Sequence, residues 1–282
     1  MSDTATWYLG PLGDLRALEV PDLDVDINEV RFGGIHQGLS GARTMDITGH
    51  RTEFTLNFSY LDRDEYAWLE ALHFRLIQGP HRLINPLKRN RLTAQACRLL
   101  PFEFRNSGVY SSAPWLQERD STVDLPIYGR ATVVGTWPED NAFIQFDQYK
   151  PVPVVSGEVL TASVYLKGQA AHNGYLRMSW YDVDQVFLEN TDVPIAIGTD
   201  WTRYWATFPE PPATAVAGVF TIVLGPYADN NISIIAPQVE ANTDSPTDWE
   251  IGGGAPVVLI DQMPAPSHRY PLRNVQLSLL EA

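Results

Sequence analysis

The sequence predicts a mainly β protein: a β-sandwich unit carrying one packed α-helix, interrupted by an inserted jelly-roll β-sandwich. Three observations lead there. Alternating apolar and polar stretches recur between Gly, Pro and Asp-Asn breaks from about Asn106 onward. One segment, residues 61 to 80, reads as a helix with both a start and a stop signal. The charge is also laid down in blocks. Residues 1 to 105 carry 12 basic and 14 acidic groups, residues 106 to 254 carry 6 and 18, and residues 255 to 282 carry 2 and 2.

The first block supplies a half-buried strand in His50 to Phe58, with Phe54, Leu56 and Phe58 on one face and Glu53, Thr55 and Asn57 on the other. The helix follows at once. Asp62 caps it, Glu65 stands three residues later, and Gly79-Pro80 closes it. Its apolar face reads Leu61, Tyr66, Leu69, Leu72, Phe74 and Leu76. His81 to Asn85 returns as a strand. In the middle block the strands are Ala142 to Phe146, Glu158 to Lys167, Gly174 to Tyr181, Thr202 to Phe208, Val219 to Leu224 and Ile232 to Val239. With two or three weaker ones they make the seven or eight strands of a jelly roll. Gly252-Gly253-Gly254 reads as a flexible joint, after which Val275, Leu277 and Leu279 alternate in a final strand. Twenty-eight residues cannot form a core alone, so this tail is expected to pair back into the first block. The expected division is therefore 1–105 with 253–282, around an inserted 106–252.

At 282 residues and 44% hydrophobic side chains the chain is too apolar for disorder. Its net charge of −14 opposes adsorption to nucleic acid or anionic lipid, so neither membrane binding nor specific nucleic-acid binding is expected. No apolar run approaches the roughly 20 residues of a membrane-spanning helix, and MSDTATWYLG lacks the regions of a secretory signal, which places synthesis in the cytosol. The single cysteine, Cys97, excludes an internal disulfide and reads as a core filler.

Enzyme motifs are missing. There is no GxSxG, no phosphate-binding glycine loop and no HExxH, so no catalytic residues are assigned. The histidines His36, His50, His73, His81, His172 and His268 lack metal-ligand spacing. No cofactor is expected. Asp182-Val183-Asp184 and the run Asp22, Asp24, Asp26 offer oxygen ligands for a structural calcium ion, but without the glycine and distal glutamate of an EF-hand loop they read first as solvated turns or strand edges. Lys88, Arg89 and Arg91 form the one basic cluster, either a solvated loop or a contact for an acidic partner.

Aromatic residues in the middle block carry a more specific suggestion. Sugar rings offer apolar C–H faces and a rim of hydroxyls, and a surface that binds them pairs flat side chains with polar ones. Tyr165, Arg177, Tyr181, Trp205 and Thr207 fall in the polar phase of three strands. They form one carbohydrate-binding face if those strands are neighbours, and ordinary sheet surface if not. Trp201 and Trp249 stand at turns and read as plugs for the sandwich ends.

The order of these parts resembles the distal tail protein family of long-tailed bacteriophages. ITGHRTEFTLNFSYLDRDEYAWLEALHFRLIQGPHRLINP is similar to that family's strand, helix, strand unit, and NVQLSLLEA to its last strand. The middle block, through GEVLTASVYLK, GTDWTRYWATF and IIAPQVEANTDSPTDWE, resembles a carbohydrate-binding jelly roll. The resemblance implies a non-enzymatic minor tail protein of the virion's tail tip. Such a protein forms a homo-oligomeric ring, hexameric by analogy, between the tail tube protein and the tail hub and tape measure proteins. It also implies a sandwich presented to host-surface polysaccharide for host attachment, and acids lining the channel, Asp22, Asp24 and Asp26 among them. One departure is that the family's outer domain follows its ring domain, whereas here residues 255 to 282 return to it. A free-standing carbohydrate-binding protein and a β-sandwich glycoside hydrolase or lyase stand as the alternatives.

Overall fold

The computed structural model describes residues 6–22, 25–38, 40–45, 49–100, 108–112, 115–118, 131–134, 141–209, 211–225, 231–267 and 270–282. The chain is mainly β and divides into two compact units. A split unit joins Met1–Leu83 to Pro256–Ala282, and a central unit comprises Ile84–Ala255.

The split unit is built on β1 (Tyr8–Pro11), β2 (Arg16–Ala17), β3 (Asp26–Phe32), β6 (Gly49–Leu61) and β7 (His81–Ile84), with β4 (Ile35–Gln37) and β5 (Arg43–Met45) forming a separate two-stranded ribbon. After the central unit come β19 (Val257–Gln262) and β20 (Arg273–Glu281). The seven-stranded sheet runs β2-β1-β7-β19-β20-β6-β3. β20 thus lies between β6 and β19, and its register sets Val275 opposite Phe58, Leu277 opposite Leu56 and Leu279 opposite Phe54. All six side chains are buried in one core. Cross-strand pairing doubles the apolar row, and each fully buried side chain of this size stabilises the fold by roughly 1.5 to 3 kcal/mol.

Helix α1 (Arg63–His73) begins where Asp62 accepts the amide of Glu65 at 2.8 Å, an N-cap that satisfies one orphan donor. Trp68, Leu69 and Leu72 join the same core. The helix ends earlier than its apolar pattern predicts. Arg75 adopts a φ of 56°, its amide donates to the Leu72 carbonyl, and the Leu76 amide donates to Ala71. This is a Schellman stop with arginine where glycine is usual. Phe74 and Leu76 consequently leave the buried face and are exposed.

The central unit holds α2 (Ala94–Cys97) and the strands β8 (Val109–Ser111), β9 (Trp115–Glu118), β10 (Ala131–Val134), β11 (Phe143–Phe146), β12 (Val152–Pro153), β13 (Leu160–Gly168), β14 (His172–Tyr181), β15 (Phe187–Ile197), β16 (Thr202–Phe208), β17 (Ala217–Leu224) and β18 (Ile232–Ala241). They form two sheets, β16-β13-β18-β10-β9 and β15-β14-β17-β11-β8, with β12 paired to β17. Their inner faces close on one core. Leu160, Ala162, Val164 and Leu166 come from the first sheet, and Leu176, Met178, Trp180, Phe220 and Ile222 from the second.

The division falls at residue 84 rather than 106. Leu92, Ala96, Cys97 and Leu99 belong to the sandwich core, and Asn90 binds across it, its Nδ2 donating to the carbonyls of Pro237 and Glu250 and its Oδ1 accepting from Val239. The charge step misplaced the boundary because the basic cluster belongs to the central unit. Arg91 is buried, with Nη1 and Nη2 each 2.6 Å from a Glu158 carboxylate oxygen, so it is not a surface for an acidic partner. The glycine run is no loose joint either. Gly253 and Gly254 donate to the carbonyls of Leu92 and Asn90, and a Cβ at Gly252 would stand 2.1 Å from the Leu92 oxygen. Glycine is required there for close backbone approach.

Candidate functional site

The five residues read from the sequence as one carbohydrate-binding face lie on two faces. Tyr165 on β13 and Trp205 and Thr207 on β16 face outward from the five-stranded sheet, while Arg177 and Tyr181 on β14 face outward from the six-stranded one. β13 and β14 follow each other closely in sequence but belong to opposite sheets, so the polar phases of the two strands point away from each other.

The outer face of the five-stranded sheet is largely occupied by the chain itself. Thr161 donates to the carbonyl of Thr243, Arg203 Nη1 to that of Thr247 at 2.6 Å, and Glu240 accepts both the amide and the hydroxyl of Thr247. Residues 243 to 250 are thereby strapped over the middle of the face. The Arg203 guanidinium lies 5.6 Å from the Tyr165 ring centroid and covers it. Trp205 is left at the edge strand, 46% exposed, with Thr207 beside it. Trp249 packs against the core as a plug, and Lys167 lies over Trp201.

The outer face of the six-stranded sheet is a different surface: Ala217, Val219, Thr221 and Val223 along its middle strand are buried, while Tyr175 and Phe187 toward the β15 edge are exposed. Register places Asp192, Arg177, Thr221, Gln145 and Tyr110 in a single row across β15, β14, β17, β11 and β8. Five strands at about 4.8 Å spacing make this polar row about 19 Å long. On one side runs an apolar row of Pro194, Tyr175, Val223 and Phe143. On the other, past Asn190, Ser179 and Val219, lies the row Phe187, Tyr181, Ala217. Tyr110 and Phe143 meet at 6.0 Å, and Tyr181 and Phe187 pack edge to face at 6.0 Å.

The row is preorganised. Arg177 is held by Asp192 through two bonds, Nε to Oδ1 at 2.6 Å and Nη2 to Oδ2 at 2.7 Å, and that pairing raises its pKa above the ordinary value. Ser179 and Asn190 bond at 2.8 Å one row away. Burial pushes the Tyr181 hydroxyl above its usual range, keeping it neutral and able to donate. At the centre, Thr221 points away from the core yet is 1% exposed, with Arg177 and Gln145 as its cross-strand neighbours. Its Oγ1 has no hydrogen-bond partner among the described residues. A buried hydroxyl without a partner is uncommon.

Of the residues on this face the sequence singles out Arg177 and Tyr181, and not Thr221, Gln145, Tyr110 or Asp192. The signal was there: Gln145 sits alone in Phe-Ile-Gln-Phe and Thr221 alone in Val-Phe-Thr-Ile-Val.

The calcium candidates are committed elsewhere. Asp182 Oδ1 accepts the amides of Asp184 at 3.0 Å and Val186 at 2.9 Å, and so stiffens the β14–β15 turn. Asp22 accepts from Ser59. Asp24 and His268 lie outside the described residues. Among those described, no group of three or more His, Cys, Asp or Glu is placed to hold a metal ion.

No protein-family model matches the sequence, and no curated protein matches it. Among solved structures, the chain is similar to an arabinose-bound α-L-arabinofuranosidase, MgGH51, with TM-score 0.43 and 14% identity over 55% of this chain and 27% of that one. It is similar to the enzymatically active domain of bacteriophage CBA120 tailspike protein 4, with TM-score 0.41 and 12% identity over 54% and 21%. A family 22 carbohydrate-binding module of Clostridium thermocellum Xyn10B gives TM-score 0.37 and 11% identity over 49% and 88%. The matched part spans about a quarter of the length of the first two. At these scores the likenesses carry no functional conclusion.

Proposed function

We propose that the central unit binds glycan on the outer face of its six-stranded sheet, and that the split unit assembles with copies of itself. In this reading the chain is a structural, non-enzymatic component of a phage tail tip whose sandwich engages host-surface polysaccharide. The observation that carries the glycan reading is the row Asp192, Arg177, Thr221, Gln145, Tyr110 with aromatic rows on both sides. Fixed donors and acceptors between flat apolar surfaces match the two chemistries of a sugar ring. The face does not favour hydrolysis: the carboxylate of its polar row, Asp192 on the edge strand, is already bonded to Arg177, whereas glycosidases need a free pair.

Assembly is supported by the β4–β5 ribbon of the split unit. It pairs with no other strand among the described residues and exposes Ile35 and Met45. An isolated two-stranded ribbon is marginal in water and gains most from a neighbour. The ring, with the tail tube, hub and tape measure proteins as its neighbours, rests on this feature and on the sequence resemblance.

Binding to a printed array of defined glycans tests the first part, and native mass measurement with electron micrographs of the purified protein tests the second. Array binding together with a ring supports the full reading. Array binding by a strict monomer supports a free-standing carbohydrate-binding protein instead, and a blank array at high protein concentration removes glycan binding.

A further inference from the structure

We infer that the glycan-binding face ends in a pocket for one neutral sugar residue, so that it takes the free end of a glycan chain and not its interior. This rests on the glycan reading above. At the β14–β15 turn lies a cavity of about 150 Å³ lined by Gln148, Tyr149, Pro151, Tyr181, Gln185 and Ala217, together with Asp182. Its origin is a single small residue. In the last cross-strand row, Ala217 stands between Tyr181 on β14 and Pro153 on β12, and its methyl group leaves a gap that a larger side chain would fill.

The walls suit a sugar ring. Tyr181 and Tyr149 supply aromatic surface, Tyr149 being 58% exposed, while the Gln148 and Gln185 amides both donate and accept. Asp182 is the one charged residue among the described residues lining the cavity. A terminal residue bearing a carboxylate would meet that charge unpaired, so the pocket favours a neutral hexose. The size admits one ring and not two.

The pocket is also a dead end. It lies in the row of Tyr181, six residues along β14 from Tyr175, or about 20 Å at strand rise. Beyond it stand the turn fixed by Asp182, in which Gln185 has a φ of 60°, and the loop after β11, which turns at Asp147 with a φ of 56°. A chain lying along the face toward Tyr181 therefore has to stop there. Polysaccharides fixed to a surface by one end present the other, which is the end such a pocket reads.

The test uses the full chain and an array of neutral oligosaccharides of glucose, galactose, mannose and N-acetylglucosamine, each attached through its reducing end. Every sequence is printed twice, once with a natural terminal residue and once with a benzylidene acetal across that residue's 4- and 6-hydroxyls. A third set ends in a uronic acid. The inference expects at least tenfold weaker binding to the capped and the acidic forms of any oligosaccharide that is bound. It expects Tyr149→Ala and Gln148→Ala, at exposed and half-buried loop positions, to lose about as much on the natural form and nothing further on the capped one. Equal binding to natural and capped forms overturns the inference while leaving glycan binding on the face intact. Equal binding to acidic termini overturns the neutral specificity, and a wholly blank array overturns both the inference and the reading beneath it.

Discussion

Arg177 and Asp192 face each other across β14 and β15 as a two-bond fork, 2.6 and 2.7 Å, beside a threonine hydroxyl with no partner among the described residues. Being about a third exposed, the pair adds little to stability, since ion pairs of this kind are worth at most about 1 kcal/mol. Its effect is geometric: it fixes the guanidinium on the outer face of the sheet. Asp192→Asn is therefore expected to leave the melting temperature within a few degrees of wild type and to weaken glycan binding about tenfold, measured by calorimetry beside a thermal melt.

Thr221→Val separates binding from stability in the opposite sense. The substitution keeps the shape and removes a buried hydroxyl whose isolation costs about 1 to 3 kcal/mol. The variant is expected to be as stable as wild type or more so, by up to about 1 kcal/mol in urea unfolding, while binding glycan more weakly. Lower stability with unchanged binding would show that the hydroxyl serves the fold.

Arg91 and Glu158 form the buried counterpart of that surface pair, and Arg91 Nη1 also donates to the Pro153 carbonyl at 3.0 Å. Removing one partner strands the other charge in the interior. Arg91→Met is expected to destabilise the central unit by about 3 to 5 kcal/mol, and Arg91→Met with Glu158→Leu to recover most of it. Chemical unfolding of the three proteins checks both values.

His81, in the split unit, has its pKa lowered from 6.5, chiefly by burial and further by Arg75, against a bond to the Leu72 carbonyl that raises it. The unfolded chain takes up a proton near pH 6.5 that the folded chain refuses until the pH is lower. Stability is thus full above that pH and falls as the pH drops below it. Melts from about pH 7.5 to about pH 5 are expected to show this decline, and His81→Gln to flatten it.

Local rules made the strand faces and the helix start legible. Leu160 to Leu166 alternate inward as their spacing predicts, and Asp62 caps three residues before Glu65. The helix end was hidden because Arg75 fills a position that glycine ordinarily marks. The site was split for a non-local reason. Nothing between Gly168 and His172 announces that the chain changes sheets, so the sequence leaves open whether these strands are neighbours. Thr221 and Gln145 escaped notice because each is one polar residue in an apolar strand, and only register brings them together.

The two sandwich faces make opposite predictions for where a glycan is held. The most direct measurement is the affinity of Arg177→Ala, Tyr181→Ala and Trp205→Ala for an oligosaccharide bound by the wild type. Losses of about tenfold or more are expected for the first two, with Trp205→Ala unchanged, since one stacking aromatic or charged contact is worth on the order of 1 to 2 kcal/mol. Loss confined to Trp205→Ala would put binding on the five-stranded sheet and contradict the account.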